Sequence, residues 1–169
     1  MKTLLVLAMH GSIPSDFPAH KMTELIGLQA RLEHAERPQR PILEARYEPL
    51  EEEMRTWPRT PENDPFHAAS QTLAAHLSVV AGLEVVVGFN EFCAPSLDEA
   101  LDQAAVNADR VVVVTPMMTR GGQHAELDIP AAIERVQVQH ADVHFVYAWP
   151  FDFEDVAGFL AAQVERFLD

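Results

Sequence analysis

The chain has 169 residues, about the size of one α/β domain, and 48% of them are apolar, enough to bury a sizeable core. Its formal charge of −14 argues against nucleic acid, which needs clustered Lys and Arg to displace counterions; a solvated acidic surface accounts for the charge. No run reaches the ~18 apolar residues of a membrane span, and the lone Cys93 argues against a disulfide framework and for a reducing, cytoplasmic location.

In chain order, Leu4 to Met9 reads as a first strand, too short for a secretion signal and followed by no small-residue cleavage site. Between His10 and Phe66 no strand is expected. Thr23 to Ala35 is predicted helical, as is Tyr47 to Trp57, which carries Glu48, Glu51, Glu52 and Glu53. Pro38, Pro41, Pro49, Pro58, Pro61 and Pro65 punctuate the rest. A connection of this length is usually functional. Phe66 to Val80 then sets Phe66, Ala69, Leu73, Leu77 and Val80 on one helical stripe, and Leu83 to Phe89 is a second strand.

The spacing predicts a helix over Ser96 to Ala108, with Ser96 as N-cap and Glu99 completing a capping box. Arg110 to Pro116 follows as a strand. Its Val111-Val112-Val113-Val114 does not alternate with polar residues, which suits a strand covered on both faces. Ile129 to Gln139 is a helix with Pro130 in its first turn, Val143 to Ala148 a fourth strand, and Phe153 to Leu168 a closing helix. The alternation predicts one α/β domain over residues 1–169: a four-stranded parallel sheet flanked by helices, with a helical and loop insertion at about 13–65.

In such sheets ligands bind beyond the carboxyl ends of the strands. His10-Gly11-Ser12 follows the first strand, Asn90-Glu91-Phe92 the second, Met117 to His124 the third, and Trp149-Pro150-Phe151-Asp152 the fourth. Singly, His10 reads equally as a turn residue, His124 as a neighbour of a helix cap and Glu91 as a solvated carboxylate. Together, His10, Glu91 and His124 form a donor set for a borderline divalent ion such as Co²⁺, Fe²⁺, Ni²⁺ or Zn²⁺. His34, His67, His76 and His140 are less well placed, His20 follows the first strand closely, and His144 reads as a satisfied strand residue. Gly121-Gly122 permits close backbone approach or positive φ, and with the helix beginning near Asp128 can cradle an anion.

The stretch Thr115-Pro116-Met117-Met118-Thr119-Arg120-Gly121-Gly122-Gln123-His124-Ala125-Glu126-Leu127-Asp128-Ile129-Pro130 resembles the signature of the sirohydrochlorin chelatases. Val6-Leu7-Ala8-Met9-His10-Gly11-Ser12 resembles that family's first strand, ending in His-Gly-Ser. Gly88-Phe89-Asn90-Glu91-Phe92-Cys93-Ala94-Pro95-Ser96-Leu97 is similar to its Phe-x-Glu followed by Pro-Ser. The likeness covers residues 1–13 and 66–147. It implies a chelatase-type α/β fold with a four-stranded parallel sheet. It also implies insertion of Co²⁺, Fe²⁺ or Ni²⁺ into sirohydrochlorin or a related tetrapyrrole, the step from which cobalamin, sirohaem and nickel tetrapyrroles are made. By the same likeness, His10 and His124 bind the metal, Glu91 assists, and two copies pair as a homodimer.

The segment at 13–65 is longer than the single helix of a short family member, and Tyr147 to Asp152 departs from the usual ending. An acidic protein facing a carboxylate-rich ligand needs local cations. Arg120 beside His124 is the first candidate, with Gly121 and Gly122 beside it, and Lys21, Arg46 and Arg55 are weaker ones. Met117 and Met118 are placed to fill core or to meet a flat macrocycle. No nucleotide is expected, because the chain has no Gly-rich Lys-Ser or Lys-Thr loop. The alternatives are a non-catalytic metal or tetrapyrrole carrier, a phosphohydrolase with His10 as nucleophile, and an acidic partner-binding module. The second lacks the Arg that would grip phosphate, since Met9 precedes His10, and the third leaves the three strand-end residues unexplained.

Overall fold

The computed structural model describes residues 1–168. Four strands, β1 (Thr3–Met9), β2 (Glu84–Phe89), β3 (Arg110–Val114) and β4 (His144–Tyr147), form one all-parallel sheet in the order β2-β1-β3-β4. Six α-helices connect and cover them: α1 (Ala19–Glu33), α2 (Arg40–Arg55), α3 (Pro65–Ala81), α4 (Leu97–Asn107), α5 (Ile129–Gln137) and α6 (Phe153–Glu165). This is the α/β alternation expected from the apolar runs. Among the described residues no helix is long and apolar enough to cross a membrane.

β1 lies in the interior of the sheet, and Leu4 to Met9 are all buried, which explains why its sequence does not alternate. On one face Val6 and Ala8 pack with Leu101 and Ala104 of α4 and with Ile129 and Val136 of α5. On the other, Leu7 and Met9 pack with Val87, Phe89, Cys93 and Ala74. Ser96 caps α4 as expected: its side chain accepts from the Glu99 N–H, and the Glu99 carboxylate answers at the Ser96 N–H.

The register decides where function can sit. Met9 pairs with Phe89 and Leu7 with Val114, so β1, β2 and β3 end at one edge. The chain leaves β1 for β2 on one side and later crosses to β3 on the other. The end of β1 is therefore a topological switch point, where the diverging connections leave a crevice.

Between residues 13 and 65 the chain forms two helices, both starting earlier than their sequence pattern suggested. α2 begins at Arg40 because Pro41 sits in its first turn, where its missing N–H is not needed, and Pro49 is carried inside the helix. Phe17, Leu25 and Met54 form a separate apolar cluster here, joined by Tyr47, Leu50, Trp57 and, from the loop after β2, Phe92. α6 differs from every other helix: none of its residues is buried.

Candidate metal centre

His10, Glu91 and His124 come together at the switch point, each contributing one donor atom, with those atoms all within 4.8 Å of one another. His10 Nε2 lies 3.9 Å from Glu91 Oε2, and the two imidazoles meet edge to face with centroids 4.5 Å apart. Donors on one tetrahedral ion with bonds of 2.0–2.2 Å sit about 3.4 Å apart, so the site is only slightly more open than one closed on an ion. It is accessible as well: the side chains of His10, Glu91 and His124 are 45%, 31% and 20% exposed. Three protein donors with an open side suit an ion that must arrive and leave.

Local structure fixes which nitrogen each ring presents. His10 Nδ1 lies 2.8 Å from the Gly11 carbonyl, which can only accept, so the neutral ring carries its proton there and leaves the Nε2 lone pair free. Gly11 is required at this turn, with φ +106° and the position of any Cβ only 1.8 Å from the Glu91 carbonyl oxygen. The Glu91 N–H in turn donates to the His10 carbonyl at 2.9 Å, and the Asn90 N–H to Met9, extending the β1–β2 ladder into the site.

His124 opens a π-helical turn, His124–Asp128, that runs directly into α5. Pro130 accounts for the wide turn: it has no N–H for the Glu126 carbonyl and would clash with it in a regular helix. Across the turn His124 Nδ1 sits 2.7 Å from Asp128 Oδ2. The carboxylate holds the neutral ring's proton on Nδ1 and leaves the lone pair on Nε2, the usual arrangement behind a metal-binding histidine.

Two clefts meet at His124. The first, about 310 Å³, is polar, and Arg55, Asn90, Glu91, Asp98, Asp128 and Arg135 line it. The second, about 600 Å³, is mainly apolar, and its walls are Met117 and Met118 of the β3 loop and Val156, Phe159 and Leu160 of α6. A smaller cavity of about 170 Å³ lies behind Glu91, walled by Tyr47, Glu51 and Arg55 of α2. Burial and the neighbouring Glu51 carboxylate push the Tyr47 hydroxyl up to about 12, so it stays protonated.

The expected anion cradle at Arg120, Gly121 and Gly122 is differently employed. Gly121 does adopt positive φ, +86°. Arg120 Nε, however, donates to Glu126 Oε1 at 2.6 Å, and the Gly121 N–H donates to the same carboxylate, holding it below its ordinary range. The loop thus binds an anion of its own chain. Arg120 faces a separate pocket with Tyr147, Trp149 and Pro150, while Gly122 lines the apolar cleft. Lys21 and Arg46 are paired with Glu53 and Glu24 across α1 and α2. The cations that line the polar cleft are Arg55 and Arg135, and Arg135 was not singled out from sequence because its partner Asp98 lies on another helix.

The remaining histidines lie elsewhere. His67 stacks on Phe89, His140 pairs with Asp102, and His144 starts β4 at the far end of the sheet.

The all-parallel α/β fold thus brings two imidazoles and a carboxylate, a group that could hold a metal ion, to its switch point. Residues 61–166 match the CbiX family model, which includes Glu91 and His124 but begins beyond His10. The chain belongs to the CbiX family. It is 32% identical over 85 residues to a protein of Sulfurisphaera tokodaii named sirohydrochlorin cobaltochelatase, a match spanning 50% of this chain and 68% of that one. A protein of the same name from Saccharolobus islandicus strain L.S.2.15 is 29% identical over 80 residues, 44% of this chain and 62% of that one. Among solved structures, a CbiX protein of cobalamin (vitamin B12) biosynthesis from Marinobacter aquaeolei VT8 shares the fold. It has TM-score 0.53 and 20% identity, covering 97% of this chain and 94% of that one.

Proposed function

We propose that this chain is a metal chelatase that inserts Co²⁺, Fe²⁺ or Ni²⁺ into sirohydrochlorin or a closely related tetrapyrrole, without a nucleotide. The observation that carries the reading is the convergence of His10, Glu91 and His124, each offering one donor atom, with those atoms all within 4.8 Å of one another. Membership of the CbiX family and the names of the relatives support the same class and the same substrate.

In this reading the two Nε2 atoms and the Glu91 carboxylate replace part of the ion's water shell. Neutral imidazoles suit a borderline dication and release it readily. The macrocycle lies against the apolar cleft, with Met117, Met118, Phe159 and Leu160 beneath its flat face and His124 at its edge. As the ion passes to the four macrocycle nitrogens, two pyrrole N–H protons must leave. The freed Nε2 atoms of His10 and His124 accept them, and Glu91 with the polar cleft carries them to solvent.

A homodimer, implied by the family likeness, is supported by Phe153 and Val164 of α6 and by Phe167 just after it, which are exposed to solvent and lie outside the apolar cleft. A cytoplasmic setting is supported by Cys93, a free and buried thiol whose pKa burial raises, keeping it unreactive. The test is spectroscopic: catalytic amounts of protein are mixed with excess metal-free sirohydrochlorin and Co²⁺, Fe²⁺ or Ni²⁺ in turn. Loss of the metal-free spectrum over many turnovers is expected, and His10→Ala or His124→Ala abolishes it. A carrier would stop after one equivalent.

A further inference from the structure

Two arginines outside the donor set hold the main chain around Glu91. Phe92, next to Glu91, sits at φ +60°, a left-handed conformation that a bulky residue adopts only when its surroundings impose it. Arg55, the last residue of α2, donates from Nη1 to the Cys93 carbonyl at 3.0 Å and from Nη2 to the Asn90 carbonyl at 3.4 Å. Arg59, four residues on, donates from Nη2 to the Phe92 carbonyl and from Nη1 to the Ser12 carbonyl at 2.8 Å. The carbonyls immediately before and after Glu91, and the next one, are thus all held by guanidinium groups from one short stretch.

Arg59 also joins the two loops that carry donors, since Ser12 lies two residues past His10 and Phe92 one past Glu91. It is itself fixed by Asp64, with which it makes an ion pair; their side chains are 5% and 1% exposed. Burial pushes the Asp64 carboxyl up, but hydrogen bonds from Ser12 Oγ, the His67 N–H and Arg59 outweigh this and hold it below its ordinary range. A buried ion pair is a poor way to gain stability, because apolar side chains of similar size serve as well or better. A planar fork of five N–H donors is, by contrast, well suited to fixing several carbonyls at once, which lysine cannot do.

Resting on the metal-site reading above, we propose that Arg55 and Arg59 are positioning residues for metal binding, and that the segment 13–65 serves as the brace that presents them to the Glu91 and His10 loops. Its Tyr47 and Glu51 wall the cavity behind Glu91, consistent with a fixed buttress.

The experiment measures Co²⁺ affinity of the full chain by calorimetric titration for wild type, Glu91→Gln, Arg55→Met and Arg59→Lys. Circular dichroism and thermal melting confirm folding. Arg55→Met leaves Glu51, on the same helix, as the one charged group without its partner, and Arg59→Lys keeps a cation for buried Asp64, so at least the first should fold. Both arginine variants are expected to weaken Co²⁺ binding about 10–100-fold, the usual effect of losing groups that orient a metal ligand. Combined with Glu91→Gln, Arg55→Met should add little, since its target is already gone, whereas Arg59→Lys keeps the part of its loss that acts through the His10 loop. Arginine variants that melt earlier but bind Co²⁺ like wild type, or an Arg55→Met that adds its full loss to Glu91→Gln, overturn the brace while leaving the metal site standing. Wild-type protein that binds no Co²⁺ overturns the site reading and the brace together.

Discussion

The two clefts that meet at His124 are chemically opposite. One is lined by Glu91, Asp98 and Asp128 against Arg55 and Arg135, so ionised groups face each other across about 310 Å³. The other, nearly twice that volume at about 600 Å³, is built from methionines and the apolar face of α6. A hydrated dication and a flat macrocycle need these two environments, and they must meet at one point for the ion to change hands. Under the proposed function, this edge of the sheet sorts its two substrates by polarity, with His124 and its neighbour Gln123 as the shared wall.

Several measurements sharpen or break that contrast. The largest effect is expected at the shared wall. His124→Ala should reduce metal insertion by more than the ~100-fold upper range for loss of an orienting partner, because it removes a donor outright. Next is Asp128→Asn, which leaves His124 in place but removes the charge holding its Nδ1 proton. Co²⁺ affinity should fall about 10-fold, with the tetrapyrrole KM unmoved. A rise in that KM instead would mean that Asp128 faces the macrocycle, and the polar cleft would lose its assignment.

The apolar cleft is tested by Met118→Glu. A carboxylate there should raise the tetrapyrrole KM about tenfold, roughly the loss expected when one apolar side chain no longer packs, while calorimetric Co²⁺ affinity stays within twofold. Equal effects on both substrates would show that the two clefts are one site and the division by polarity is wrong.

What could be read in advance divides along physical lines. The strands were legible because burial on both faces of a parallel sheet demands unbroken apolar runs such as Leu4 to Met9; the run Val111 to Val114 is as unbroken, though Val112 and Val114 are only partly covered. His10, Glu91 and His124 were legible because strand ends in such a sheet share one edge, so topology alone brings distant residues together. The partners of those residues were not. Arg55 and Arg59 act on main-chain carbonyls, which carry no sequence signal, and Arg135 acts through Asp98 on another helix. The π-helical turn was hidden for a related reason. Pro130 read as part of the first turn of a helix, as it is in α5, but nothing marked the π-helical turn before it, across which Asp128 meets His124. The nearness of Arg120 to His124 in sequence likewise said nothing of Glu126, with which it pairs.

The smallest expected effect probes the polar cleft by charge alone. Arg135 grips Asp98 with two hydrogen bonds of 2.8 Å, in a pair that is about half exposed. Such a pair contributes little stability, within about 1 kcal/mol, so Arg135→Gln should melt almost as wild type does. What changes is the field, because Asp98 then faces the cleft uncompensated beside Glu91 and Asp128. An added negative charge favours an incoming dication, so Co²⁺ affinity should rise about two- to threefold at low salt. Exposed charges are screened over about 10 Å at 0.1 M salt, so the gain should shrink as salt is added. A gain that survives high salt would point to direct coordination by Asp98, and a loss of affinity would show that the ion does not approach from this side of His124.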